Sequence, residues 1–143
     1  MKLSEIQVSY STKTKQPQII TSINAYELFK ENWNQDTIQL FEEFKILLLN
    51  RDNRVLGIYF LSKGGISETS VDIRLTMAIT LKCAASSIIL GHNHPSGNLR
   101  PSQQDISLTK QINSAGKLLD IKILDHIILT QHGYYSFADE GAI

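Results

Sequence analysis

The stretch Ser87 to Leu108, SIILGHNHPSGNLRPSQQDISL, decides how this chain folds. Its opening, Ser87 to Leu90, is short and apolar and predicts a buried strand. Gly91 to Pro101, with Pro95 and Gly97, predicts a loop. Ser102 then starts a helix expected to run to Ala115 and to stop at Gly116. A buried strand that passes through a loop into a helix is the start of an α/β unit, and the flanking segments say what sheet it joins.

Upstream, Asp72 to Ala85 has helical periodicity, with Ile73, Met77, Leu81 and Ala84 near one stripe and Leu75, Ala78 and Ile79 beside it. Before that, Glu42 to Asn50 and Arg54 to Ser62 flank the tight turn Arg51-Asp52-Asn53, which predicts a β-hairpin. Apolar residues at 46–49 in succession predict a first strand buried on both faces. Gly64-Gly65 opens a loop. Ser22 is placed to cap a helix through about Trp33, with Tyr26, Leu28, Phe29 and Trp33 as its apolar positions. Ser4 to Tyr10 alternates in part and reads as an edge strand, and Ser9 to Gln18 as a polar loop. Downstream, Asp120 to Thr130 predicts a strand bent near Asp125. Gln131-His132-Gly133 then turns the chain into Tyr134 to Phe137. Helices and strands interleave, so the fold class is α+β or mixed α/β. Residues 1–40 (strand, loop and helix) and 41–143 are expected to pack as one unit.

The chain has 143 residues, 14 Lys+Arg against 14 Asp+Glu, and 42% apolar residues. That length suits one domain, and 42% apolar against 20% charged residues excludes a disordered chain. One cysteine, Cys83, excludes a disulfide framework and an all-thiolate zinc site within one chain; in an apolar helix it reads as a small buried hydrophobe. No apolar run reaches membrane-spanning length, and MKLSEIQVSYSTKTK lacks the apolar core of a signal peptide. A cytoplasmic location is expected. Neutral charge argues against broad electrostatic capture of nucleic acid, although Lys13 and Lys15 form a small basic run.

The chemistry sits in the deciding stretch. His92 and His94 lie one residue apart, so on extended backbone both imidazoles point to one side and can reach one ion. Asp105 falls in the first turn of the following helix, and a loop that doubles back brings it beside them. Two imidazoles and a carboxylate leave a fourth tetrahedral position for water. Ser102-x-x-Asp105 also fits a helix-capping box, and the two readings are compatible. A base is still needed. Glu42 and Glu43 both begin the buried hairpin strand; alternation puts Glu42 on the face of Phe44, Ile46 and Leu48 and Glu43 on the other, without choosing between them. The tripeptide His-Asn-His does not indicate an HNH nuclease, which spreads its residues over a longer unit. Tyr134, Tyr135 and Phe137 read as packing residues, and His132 as a solvated turn residue.

Glutamate, then His-x-His, seven residues, Ser, two residues, Asp resembles the JAMM (JAB/MPN+) metalloprotease pattern. Glu42, His92-Asn93-His94, Ser102 and Asp105 meet every spacing. The strings HNHPSGNLRPSQQD, LLDIKILDHIIL and YYSFADEG resemble its RadC-type branch, over roughly Glu42 to Gly141. The resemblance implies a JAB/MPN-like, cytidine-deaminase-like sheet flanked by helices, with one Zn²⁺ on His92, His94 and Asp105. It implies Glu42 as general base and Ser102 as the group that steadies the oxyanion. It also places a family Asp-His pair on Asp125-His126 and an arginine on Arg74, where the usual following acidic residue is Leu75. The implied activity is hydrolysis of peptide or isopeptide bonds in a peptide or protein substrate. The alternatives are a DNA-repair-associated DNA-processing or binding protein, or a non-catalytic MPN scaffold. The segment before Glu42, about 40 residues, is expected to be too short for the helix-hairpin-helix-like module that commonly precedes this domain.

Overall fold

The computed structural model describes residues 1–64 and 70–143. Elements follow in the order α1 (Ser22–Glu31), β1 (Glu43–Leu49), β2 (Val55–Lys63), α2 (Ile73–Lys82), β3 (Ser87–Asn93), α3 (Gln103–Leu118), β4 (Lys122–Leu129) and β5 (Tyr134–Ser136). The five strands form one sheet in the order β2-β1-β3-β4-β5. The predicted hairpin is present, held at its turn by Asn50, whose side-chain oxygen accepts from the backbone N–H of Asp52 and Arg54, both at 3.0 Å. β3 and β4 are parallel, joined by the α3 crossover, and the other neighbouring pairs are antiparallel. This is a mixed α/β fold with helices on both faces.

Strand alternation sorts the core onto two sides. Leu47 and Leu49 of β1, Ile89 of β3 and Ile127 and Leu129 of β4 pack against Ala25 and Phe29 of α1 and against Trp33 and Ile38. Phe44, Ile46, Leu48, Ile88 and Leu90 face the opposite way, toward Met77 of α2 and Ile112 of α3. The central strands are therefore apolar at consecutive positions. Between Ile88 and Ile89 of β3 the pairing with β4 slips by one residue, past Leu124, which is the bend expected near Asp125.

The structure corrects several expectations. Ser4 to Tyr10 forms no strand: its apolar residues are exposed, and it meets the edge strand β2 through a side chain, the Tyr10 hydroxyl, which donates to Leu56 O at 2.6 Å. Thr21, not Ser22, is the N-cap of α1, because Asn24 supplies the reciprocal side-chain contact. α2 buries Thr76, Met77 and Thr80 and leaves Leu81 53% exposed, with Ala84 exposed too. The threonines can be buried because their hydroxyls donate to carbonyls one turn back (Thr76 to Asp72 O, 2.9 Å; Thr80 to Thr76 O, 2.7 Å). Cys83 caps that helix and is exposed rather than buried. Gly116 lies within α3 and does not stop it; a Cβ there would sit 2.5 Å from Ile121 O, so the glycine serves the close return of the chain into β4. β3 runs on to Asn93, three residues past its predicted end, so His92 is on a strand and not in a loop. Gly91 allows this depth: a Cβ there would lie 2.6 Å from the Phe29 ring, so only glycine lets α1 press on the strand beside the histidines.

Candidate metal centre

His92 lies near the C-terminal end of β3 and faces α3. It stands opposite Phe44 of β1 and Ile128 of β4 and is completely buried. The Phe44 ring stacks on its imidazole at 5.5 Å with an interplanar angle of 3°. His94 follows just beyond the strand, and its Nδ1 donates to Asn98 O at 2.6 Å, because a carbonyl can only accept. The Pro-Gly loop thus returns far enough to orient this ring. Ser102 caps α3: its Oγ accepts from the Asp105 N–H at 3.0 Å, and Asp105 Oδ2 accepts from the Ser102 N–H at 2.8 Å. The capping box aims the Asp105 carboxylate back at the histidines.

Asp105 Oδ1 lies 3.3 Å from His92 Nε2, Asp105 Oδ2 lies 3.1 Å from His94 Nε2, and the two Nε2 atoms are 3.0 Å apart. Glu42 Oε1 stands slightly farther out, 3.8 Å from His92 Nε2. One candidate ligand atom from each of Glu42, His92, His94 and Asp105 falls within 4.8 Å of all the others. With its Nδ1–H given to Asn98, neutral His94 presents the Nε2 lone pair to this cluster, and two carboxylates stand beside it. Such a donor set, of nitrogen and oxygen at close quarters, fits a divalent cation.

Burial pushes the Asp105 carboxyl up, but its close contacts with the His92 and His94 imidazoles outweigh this and hold it well below the usual carboxylate range. Burial pulls the His92 imidazole down, partly countered by Asp105. Burial also lowers His94, yet the Asp105 carboxylate beside it and the Asn98 carbonyl prevail and raise it. A cleft of about 320 Å³ opens beside Glu42 and Asp105, floored by Phe44 and walled by Gln104, Ser107 and Gln111 of α3.

Two residues absent from the sequence reading shape the site. Asn93 faces the opposite side of β3 from His92. Its side-chain oxygen accepts from the Glu43 N–H at 2.7 Å, and its Nδ2 donates to Ile38 O and Phe41 O at 2.7 and 2.8 Å. It therefore pins the segment that carries Glu42 to the strand that carries His92. Asn93→Ala should cost on the order of 3 kcal/mol or more, since it strands three buried backbone groups; a chemical-denaturation midpoint close to the wild-type value would refute this. Thr109, one turn beyond Asp105, is the second, and its Oγ1 lies 2.6 Å from His126 Nδ1. The signal for it was Asp105 plus four, the same helix face.

The expected Asp125-His126 pair divides across the sheet. Asp125 faces α1 and accepts from Ser136 Oγ (2.6 Å), His126 N (2.7 Å) and Ala138 N (3.0 Å), which ties down the segment after β5. Burial raises its carboxyl above the ordinary range despite those bonds. His126 faces the other way, with Nε2 2.7 Å from His92 Nδ1. Glu43 pairs with Lys45 at 3.6 Å, away from the cluster. Arg74 is exposed in the first turn of α2, and Leu75 beside it is 39% exposed. Phe137 is buried, Tyr134 stacks on Tyr26 at 4.4 Å, and His132 is exposed in the turn before β5.

A family model for the RadC-like JAB domain matches residues 19–142. The chain belongs to the RadC family. Among RadC-family relatives, a UPF0758 protein of Flavobacterium johnsoniae is 55% identical over 100 residues, covering 70% of this chain and 44% of that protein. A UPF0758 protein of Porphyromonas gingivalis is 50% identical over 103 residues (71% and 45%), and one of Alkaliphilus metalliredigens 43% over 100 residues (70% and 43%). The match to these RadC relatives thus spans less than half of their length. No helix among the described residues of this RadC domain is long and apolar enough to cross a membrane.

Proposed function

We propose that this domain is a zinc-dependent hydrolase of peptide or isopeptide bonds. The observation that carries the reading is the cluster of Glu42, His92, His94 and Asp105, with two imidazole nitrogens and a carboxylate turned to one point and its two acidic members lining a cleft. His92, His94 and Asp105 would hold the ion, and a bound Zn²⁺ supplies Lewis acidity to water and to a carbonyl.

The chain's own groups supply the rest. Glu42, outside the tight trio but beside it, accepts a proton from the attacking water and delivers it to the leaving amine. Ser102 Oγ accepts from Asp105 N, which leaves its own hydroxyl proton to donate to an oxyanion. Asn93 holds Glu42 in register with His92, and the buried Phe44 ring keeps water from the back of the cluster. Among the described residues, the charged groups at the cleft are the carboxylates of Glu42 and Asp105, beside neutral glutamine and serine. That lining suits a neutral amide better than a phosphate backbone, so the peptide reading is preferred over DNA processing.

The test is incubation of the zinc-supplied chain with linear and isopeptide-linked peptides, followed by mass spectrometry. Cleavage that a chelator abolishes and zinc restores is expected. Cleavage unaffected by chelator, or none in either set, would overturn the reading.

A further inference from the structure

Three of the chain's four histidines meet in one row, two of them fully buried, and only two of the three are needed as ligands. We propose that Thr109 and His126 form a positioning pair that locks His92 into the tautomer whose Nε2 lone pair faces the ligand cluster. The inference deepens the metal reading and rests on it for its purpose, but not for its geometry.

The proton count along the row leaves one arrangement. Thr109 Oγ1 has a single proton, and it goes to Asp105 O at 2.7 Å, since a carbonyl cannot donate. Toward His126 Nδ1, 2.6 Å away, the same oxygen must therefore accept, so Nδ1 of His126 carries a hydrogen. His126 is completely buried between aromatic groups: Phe137 stacks on it at 4.5 Å with an interplanar angle of 8°, and Phe44 lies at 5.5 Å. A second proton there would leave a cation enclosed by apolar rings, so this imidazole is held neutral. His126 Nε2 is thus a lone pair. It faces His92 Nδ1 at 2.7 Å and must accept from it. With its hydrogen on Nδ1, neutral His92 turns its Nε2 lone pair toward the point it shares with Asp105 and His94.

The opposite tautomer would aim an N–H at the point where an ion would sit. Ligating histidines commonly donate their second nitrogen to a carboxylate or carbonyl, as His94 does to Asn98. For His92 the acceptor is an imidazole instead, and an imidazole accepts only if something fixes its own tautomer. Thr109 does that, and it sits on the same helix as Asp105. One turn of α3 therefore supplies a ligand and, through two rings, the orientation of another.

The experiment is nitrogen-15 histidine NMR on the metal-free full chain, with zinc affinity measured by competition against a chromophoric chelator. Wild type should show His92 and His126 both protonated at Nδ1. Thr109→Val, nearly the same shape, should move His126 and then His92 toward the Nε2–H form and weaken zinc 10- to 100-fold. Thr109→Ser should restore both readouts. His126→Gln, which places a carbonyl oxygen near the former Nε2, should keep His92 protonated at Nδ1, whereas His126→Leu should not. These two serve equally if Thr109→Val fails to fold. Wild-type His92 protonated at Nε2, or unchanged tautomer and affinity in Thr109→Val and His126→Leu, would overturn the proposal. If wild type shows the expected tautomers but takes up no zinc, the relay stands and the hydrolase reading falls.

Discussion

Glu42→Gln is expected to keep its metal and lose turnover by about 100- to 10,000-fold, the usual effect of removing a general base. The substitution preserves shape and hydrogen-bonding reach while removing the ability to take a proton. Metal should survive because Glu42 stands 3.8 Å from His92 Nε2, whereas Asp105 lies at 3.3 and 3.1 Å from the two imidazoles. Zinc content by elemental analysis and single-turnover rates on a cleaved peptide decide it together. Loss of both would make Glu42 a ligand and not the base. Full activity would pass the role elsewhere, and Glu43 is poorly placed for it, being paired to Lys45.

Asp105 has two tasks, and two variants separate them. Asp105→Asn keeps an oxygen for the Ser102 N–H and should retain the start of α3, yet bind zinc at least 100-fold more weakly, since a neutral amide is a poor ligand beside two imidazoles. Asp105→Ala should lose zinc as well and also lose the capping contact, at about 1 kcal/mol. Thermal melts in chelator measure the second effect, and chelator competition the first. If Asp105→Asn binds zinc like wild type, the carboxylate is only a cap.

Much of this site was written locally. The spacing of His92 and His94 placed them on one side of extended backbone, and Ser102-x-x-Asp105 announced the helix start that turns Asp105 toward them. Alternation also put Glu42 on the face of Phe44, Ile46 and Leu48, which is the face His92 uses. What could not be read was register. Nothing local says that Phe44 stands opposite His92, or that the parallel pairing of β3 and β4 sets His126 against His92. Those alignments come from the packing of α1 and α3 on the sheet. For the same reason Asn93, hidden inside the His-Asn-His tripeptide, gave no sign that its amide would reach back to residues 38–43. The buried stripe of α2 departs from its apolar periodicity for another reason: threonines that bond their own helix carbonyls can be buried, and leucine at 81 can be left outside.

Native mass spectrometry of the wild-type chain, after zinc is supplied and excess removed, tests the central claim most directly. The expected spectrum shows one zinc ion on each chain and none on the Asp105→Ala variant. A wild-type chain that remains metal-free, or a variant that carries the same single ion, would contradict a centre built from His92, His94 and Asp105.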